Sequence, residues 1–439
     1  MLTGEQQFIS RLQRTQWLSP EELTHYQQPL IERLVRHAAT QTQYYADRLS
    51  ALFDGADRGS AAIELSRWQE VPILTRDQIV ENAWQMKARE VPAETGGIVT
   101  GRSSGTTNLP LEHQRSSAAD TASNCQLDRV FELFEFDLAA PFAFIVHDAE
   151  GRCSYPDGLQ AKGWNRTEPE AKLSILEIRT PAIDQLNWLE REKPSYVMTY
   201  PNNLRAIAEA ARDRGGSPLR FDAFVASGEV LTEETREIVK SVFGCRTVDV
   251  YASREVGQIA FQCPDDANFH ICSELVLCEL LDEQGREVNA GEFGRVVVTS
   301  LYNYAMPFIR YDLGDVAKRS RISCTCGRGL PSVERIGGRV RHLYTKRDGS
   351  REWPPLGPIS KTLSKVLLYR QIQFIQSSIE TIEIKYVPID RGKPPDLTAV
   401  QDVMKKELDP NIQIRLIAVD RIERGAGMKI EQFISRVSK

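Results

Sequence analysis

Apolar residues near the N-terminus recur at helical spacing. Leu30, Ile31, Leu34, Val35 and Ala38 share one face, and Tyr44, Tyr45 and Leu49 follow. Ser19-Pro20-Glu21-Glu22 predicts a helix start, with Ser19 as N-cap and Pro20 at the first helical position, where a missing N–H removes no bond. Residues 54–62, rich in Gly, Ala, Ser and Asp, predict a loop. Val71-Pro72-Ile73-Leu74-Thr75-Arg76-Asp77 reads as a short extended piece, with Thr75 capping another helix. From residue 95 to about 320 strands and helices alternate. Phe142–Val146, Tyr196–Tyr200 and Ala223–Ala226 are short apolar runs, and 202–214 carries Leu204, Ile207, Ala208 and Ala211 at helical spacing. Runs buried on both faces predict sheets covered by helices, an α/β class. Around 275–299 the pattern becomes a hairpin that turns through Asp282-Glu283-Gln284-Gly285.

Gly337-Gly338-Arg339-Val340-Arg341 is the best boundary. Beyond it the chain predicts a small α+β unit: helix 359–369, strands 371–376 and 381–387, helix 396–408 and strand 412–419. The expected domains are therefore 1–340 and 341–439, joined through a flexible two-glycine link.

A chain of 439 residues suffices for two or three domains at about 150 residues each and needs no disulfide to hold its core. Its net charge of −5 argues against a basic nucleic-acid surface. No apolar run approaches the ~20 residues of a membrane span, and the N-terminus lacks the apolar stretch of a signal peptide. The expected location is the cytoplasm, where the 8 cysteines are free thiols or metal ligands.

Thr100 to Pro110 gathers glycines, hydroxyls and Arg102. Ser103, Ser104, Gly105, Thr106 and Thr107 supply the N–H and O–H groups that wrap a phosphate, although a polar surface turn has the same composition. No Lys-Ser/Thr follows the glycine, so this is not a Walker loop. Gly101-Arg102-Ser103-Ser104-Gly105 also fits G-x-S-x-G, the hydrolase elbow with Ser103 as nucleophile and His147, His270 or His342 as base. That elbow needs a helix directly after it, and Thr106, Thr107, Asn108 and Pro110 are poor helix residues. Separately, Cys263, His270, Cys324 and Cys326 suit a structural tetrahedral zinc, with Cys272 and Cys278 as substitutes; ordinary buried thiols are the alternative. Cys125, Cys153 and Cys245 read as core.

The loop resembles the Ser/Thr-rich Gly-Thr-Thr-Gly-x-Pro signature of the adenylate-forming (ANL) superfamily. Tyr251-Ala252-Ser253-Arg254-Glu255 resembles its aromatic-x-x-x-Glu element, and Arg310-Tyr311-Asp312-Leu313-Gly314-Asp315 its Tyr-Arg-Thr-Gly-Asp element. Arg335-Ile336-Gly337-Gly338-Arg339 resembles the entry to its hinge, and Gly425-Ala426-Gly427-Met428-Lys429-Ile430 the segment with its catalytic lysine. Tyr44-Tyr45, the Val-Pro-Ile-Leu-Thr-Arg segment and Pro307-Phe308-Ile309-Arg310-Tyr311 resemble the phenylacetate–CoA ligase-like branch. Gln371-Ile372-Gln373-Phe374-Ile375-Gln376 resembles its capsule-biosynthesis subgroup. The likeness spans nearly the whole chain, with the motifs in the superfamily's order.

The resemblance implies ATP-dependent conversion of a carboxylic acid, expected to be aromatic, to an acyl-adenylate. The acyl group then passes to a thiol, coenzyme A or a carrier protein, or to an amine. It implies that Ser103 to Thr107 hold phosphates, Glu255 holds Mg²⁺, Asp315 and Arg335 grip the ribose, and Tyr251 stacks on adenine near Ser227, Gly228 and Glu229. Lys429 is the implied catalytic cation and Arg341 the hinge. Asn108 stands where the family has Gly, and Arg341-His342 where it has Asp, which leaves a degenerate, non-catalytic nucleotide binder as an alternative. The acyl pocket is expected near His147, Tyr200, Pro201 and Ala226, and a homodimer is one expected assembly.

Overall fold

Residues 4–55, 57–103, 111–148, 150–339, 343–390, 392, 394–423 and 431–437 are described by a computed structural model. Helix Gly4–Thr15 precedes helix Pro20–Gln41, which starts where its capping residues demand. The Ser19 hydroxyl accepts from Glu22 N–H, and the Glu22 carboxylate accepts from Ser19 N–H, satisfying both orphan donors. Leu34, Val35 and Ala38 are buried on the inner face. Thr75 and Gln78 cap helix Arg76–Met86 in the same way.

A twelve-stranded sheet forms the large lobe. Strands Lys172–Glu177, Phe142–Val146, Tyr196–Thr199, Ala223–Ser227 and Arg246–Ser253 lie side by side and parallel. Alternate residues face opposite layers. Ala143, Val197, Phe224 and Ala226 pack with Trp188, Leu204, Val239 and Phe243 of the covering helices Ala182–Glu192, Pro201–Asp213 and Glu233–Phe243. Phe142, Tyr196, Val225 and Val248 face the other core, which includes Val130 and Phe131 of helix Ser117–Leu133. Such two-sided burial is what continuous apolar runs require. At Arg246–Ser253 the sheet changes direction: Gly257–Gln262 returns antiparallel, and the rest of the sheet is antiparallel beyond it. The expected hairpin is there as Val276–Leu281 and Phe293–Ser300.

The small lobe holds a four-stranded sheet in the order Gln413–Ala418, Thr381–Pro388, Tyr369–Ser378, Phe433–Ser435, with helices Leu356–Leu363 and Leu397–Glu407. The helix expected over 359–369 stops at Leu363, because Val366-Leu367-Leu368 is an apolar run that fits either period and Tyr369 already belongs to a strand. Gly337 and Gly338 are strand residues rather than a free link: Ser332–Arg339 pairs with Tyr311–Arg319, and Gly338 lies opposite Val316. Arg341 and His342 lie outside the described residues.

One fully buried ion pair ties the first helix to the rest of the large lobe. Arg129 meets Glu274 at 2.7 Å, with both side chains at 0% exposure. Arg129 also donates to Leu12 O at 2.7 Å, and Thr15 donates to Glu274 at 2.9 Å. Glu274→Ala leaves that guanidinium buried and unpaired. It should destabilise the protein by ~3–5 kcal/mol, read as a lower urea midpoint.

Candidate active site

The change of direction in the sheet creates the site. Tyr251 lies near the end of the last parallel strand, and Glu255 lies in the turn that sends the chain back. The Tyr251 hydroxyl donates to the Asp315 carboxylate at 2.7 Å. Asp315 sits on strand Tyr311–Arg319 of the same sheet, separated from the Tyr251 strand by three others, and pairs opposite Arg339. Both residues face a cleft of about 1260 Å³ that is also lined by Trp353, Tyr369 and Phe433 of the small lobe. Ser227, Gly228 and Glu229 line the same cleft at the end of Ala223–Ser227, and Gly228 turns the chain with φ +83. Glu229 also accepts from Asn202 N–H at 3.0 Å, at the N-terminus of helix Pro201–Asp213. The Glu255 side chain is 9% exposed and faces Arg76 at 3.8 Å.

Strand Ile98–Ser103 pairs antiparallel with Leu111–Ser116, with Ser103 opposite Leu111. This overturns the hydrolase alternative for Ser103. A nucleophile elbow feeds a helix, whereas this strand is one arm of a β-ribbon. Ser104, Gly105, Thr106, Thr107 and Asn108 lie outside the described residues, as does Lys429. Arg335 is placed on strand Ser332–Arg339, opposite Lys318. His147 is not part of the cleft wall; it pairs with Glu177 at 3.3 Å, while Tyr200 does line the cleft.

Sequence reasoning missed Asp249, Arg115, Asp120 and Gln258, which all line the cleft. Asp249 stands two positions before Tyr251 on one strand and so shares its face; strand alternation was the available signal. Burial pushes the Asp249 carboxyl up to about 7, against the opposing pull of Arg236 at 3.6 Å.

Cys263, His270, Cys324 and Cys326 are brought together, with their ligand atoms all within 4.8 Å of one another. Cys324 Sγ lies 3.5 Å from Cys263 Sγ, and Cys326 Sγ 3.2 Å from His270 Nε2. His270 Nδ1 faces Leu330 O at 3.3 Å, and burial holds the imidazole below its usual range, hence neutral. Cys272 is not in this group; it belongs to the main hydrophobic core.

No family model matches the chain. A phenylacetate–coenzyme A ligase of Thermus thermophilus is 26% identical over 343 residues, 75% of this chain and 73% of that protein. A 2-hydroxyisobutyryl-CoA ligase in the postadenylation state superposes with a TM-score of 0.71 at 16% identity, covering 96% of this chain and 91% of that one. The chain is similar to the adenylate-forming superfamily, and within it to the phenylacetate–CoA ligase-like branch. The same ligase in the thioesterification state superposes with a TM-score of 0.59 at 17% identity, covering 97% of this chain and 91% of that one. The chain thus superposes better on the first structure than on the second. In the arrangement seen here, Arg370 of the small lobe lies 3.8 Å from Asp213. No helix among the described residues is long and apolar enough to cross a membrane.

Asp249 gives a signed pH effect. Its folded pKa lies above the unfolded value of 3.8, so the folded state holds the proton more tightly. That contribution is fully present below the unfolded value and is lost as pH rises through about 7. Asp249→Asn should flatten the fall in melting temperature across that window, measured by thermal scans at stepped pH.

Proposed function

We propose that this protein joins a small carboxylic acid to ATP, releasing pyrophosphate, and passes the acyl group to a thiol, with coenzyme A as the acceptor. The observation that carries this reading is the Tyr251–Asp315 hydrogen bond beside the buried Glu255 in one cleft. Asp315 offers carboxylate oxygens to the ribose hydroxyls, and Tyr251 offers a ring to adenine, with Ser227, Gly228 and Glu229 alongside. Arg335 is assigned to the ribose by its place in the sequence. Ser103, Ser104, Gly105, Thr106 and Thr107 are assigned to the phosphates. Glu255 fits a magnesium ligand, since a hard cation takes carboxylate oxygen. Bound there, magnesium would neutralise phosphate charge. Lys429 is the cation assigned to the carboxylate and α-phosphate, and Arg341 the pivot between domains 1–340 and 341–439. The cytoplasm is the proposed location.

ATP–pyrophosphate exchange with a panel of acids tests the reading. Asp315→Ala should raise the ATP KM by roughly 10–100-fold, because hydrogen bonds to a charged acceptor are lost. Lys429→Ala should slow adenylation ~10²–10³-fold and spare thioester formation from a preformed adenylate. Equal loss in both half-reactions would remove Lys429 from the role.

The Cys263, His270, Cys324 and Cys326 set fits zinc, with three sulfurs and a neutral imidazole converging. Four protein ligands leave no open position, so the metal is structural. Untagged protein should contain about one zinc per chain, and stripping the metal should lower the melting temperature. A metal-free protein that melts unchanged would count against it.

A further inference from the structure

The wall of the cleft next to Glu255 is polar in a way that nucleotide binding does not explain. Asp120, Ser123 and Asn124 line the cleft from helix Ser117–Leu133, at the i, i+3, i+4 spacing of one helical face. Gln258, three positions after Glu255, completes the wall; Ser123 Oγ accepts from its N–H at 3.1 Å. Arg115 Nε fixes Asp120 at 2.7 Å, and its other nitrogens donate to Ala119 O and Arg254 O. The Asp120 side chain remains 39% exposed. Gln258 is 8% exposed, and among the described residues neither its carboxamide nor that of Asn124 has a hydrogen-bond partner.

Both carboxamides open onto the cleft, where water satisfies them, and an aryl ring that displaced that water would offer them nothing in return. Room for a side chain at the base of the wall is also absent. A Cβ on Gly257 would lie 2.8 Å from Ser123 Oγ and 2.9 Å from Arg115 Nη2. The polar atoms are thus held close together. Resting on the adenylation reading above, we infer that the acid carries a hydrogen-bond-donating group, a hydroxyl or an ammonium, which Asp120, Asn124 and Gln258 receive. A site built to hydrogen-bond its substrate discriminates strongly against analogues that lack the polar group.

Stable acyl-adenylate mimics separate this inference from the reading beneath it. Sulfamoyladenosine, bare or carrying phenylacetyl, 3-hydroxypropanoyl or β-alanyl, would be titrated against the full chain by calorimetry. A hydroxyacyl or aminoacyl mimic should bind roughly 10–100-fold tighter than the phenylacetyl one. The two polar arms tell hydroxyl from ammonium. Gln258→Leu and Asn124→Leu, the second on a half-buried helix face, should each erode that preference while leaving the affinity of bare sulfamoyladenosine unchanged. Phenylacetyl binding as tightly as the polar mimics would overturn the inference. So would a preference that survives in both variants, or bare sulfamoyladenosine binding when no acylated form does. If bare sulfamoyladenosine also fails to bind, the adenylation reading itself falls.

Discussion

Arg310 is 2% exposed and takes φ +50, a left-handed conformation that a long side chain holds only when its surroundings impose it. Its guanidinium meets Glu279 at 2.9 Å and donates to the carbonyls of Gln69 and Val71. Glu279 in turn accepts from Trp68 Nε1. Removing such a charge from water is expensive, and only a complete set of partners offsets it. This geometry fixes where strand Tyr311–Arg319 begins, and therefore where Asp315 falls. It also holds the 69–74 segment against that strand: Leu74 N–H donates to Arg310 O, and Asp312 N–H to Leu74 O. Helix Arg76–Met86 starts immediately after, and its first residue faces Glu255. A single buried cation thus bears on the placement of two cleft carboxylates, Asp315 and Glu255.

The sheet supplies the second constraint. Parallel strands end together on one edge, and the switch to antiparallel pairing at Tyr251 to Gly257 makes the chain double back there. Gly257 permits that turn through φ +95. Because Tyr251 and Asp315 are both strand residues locked by ladder bonds, their hydrogen bond does not depend on a loop to form. Rigid strand ends are well suited to positioning a ligand to within a fraction of an ångström.

The local features were legible in the sequence. Ser19 and Thr75 cap the helices that their side chains announce, since a cap involves only neighbours in the chain. The cysteines and histidine converge as their chemistry suggests. What failed depended on partners far away in sequence. Gly337-Gly338 reads as a link, yet the pairing of Gly338 with Val316 and of Arg339 with Asp315 places it in a sheet. Ser103 fits an elbow motif, and only its pairing with Leu111 shows a ribbon. The polar wall needs Arg115, helix Ser117–Leu133 and Gln258 together, and no spacing in the sequence links them. Cys272 and His270 are equally good metal ligands by type; the core claims one and the cluster the other.

No residue of the Cys/His cluster lines the cleft, yet a run of packed contacts joins the two. Gly329, just past Cys326, donates to Gln16 O at 2.9 Å, and Arg328 sits over the Trp17 ring at 5.0 Å. A Cβ on Gly329 would lie 1.7 Å from Leu18 O, so the segment after the cysteines presses directly on the end of the first helix. That helix is held from the other side by Arg129, which donates to Leu12 O. Arg129 belongs to helix Ser117–Leu133, whose first half carries Asp120, Ser123 and Asn124. Packed elements transmit displacement because the interior has little free volume. Direct contacts therefore run from the cysteine segment to the helix that carries the polar wall, through the first helix and one buried guanidinium. The Tyr251–Asp315 end of the cleft, anchored by sheet pairing, stands outside that chain of contacts.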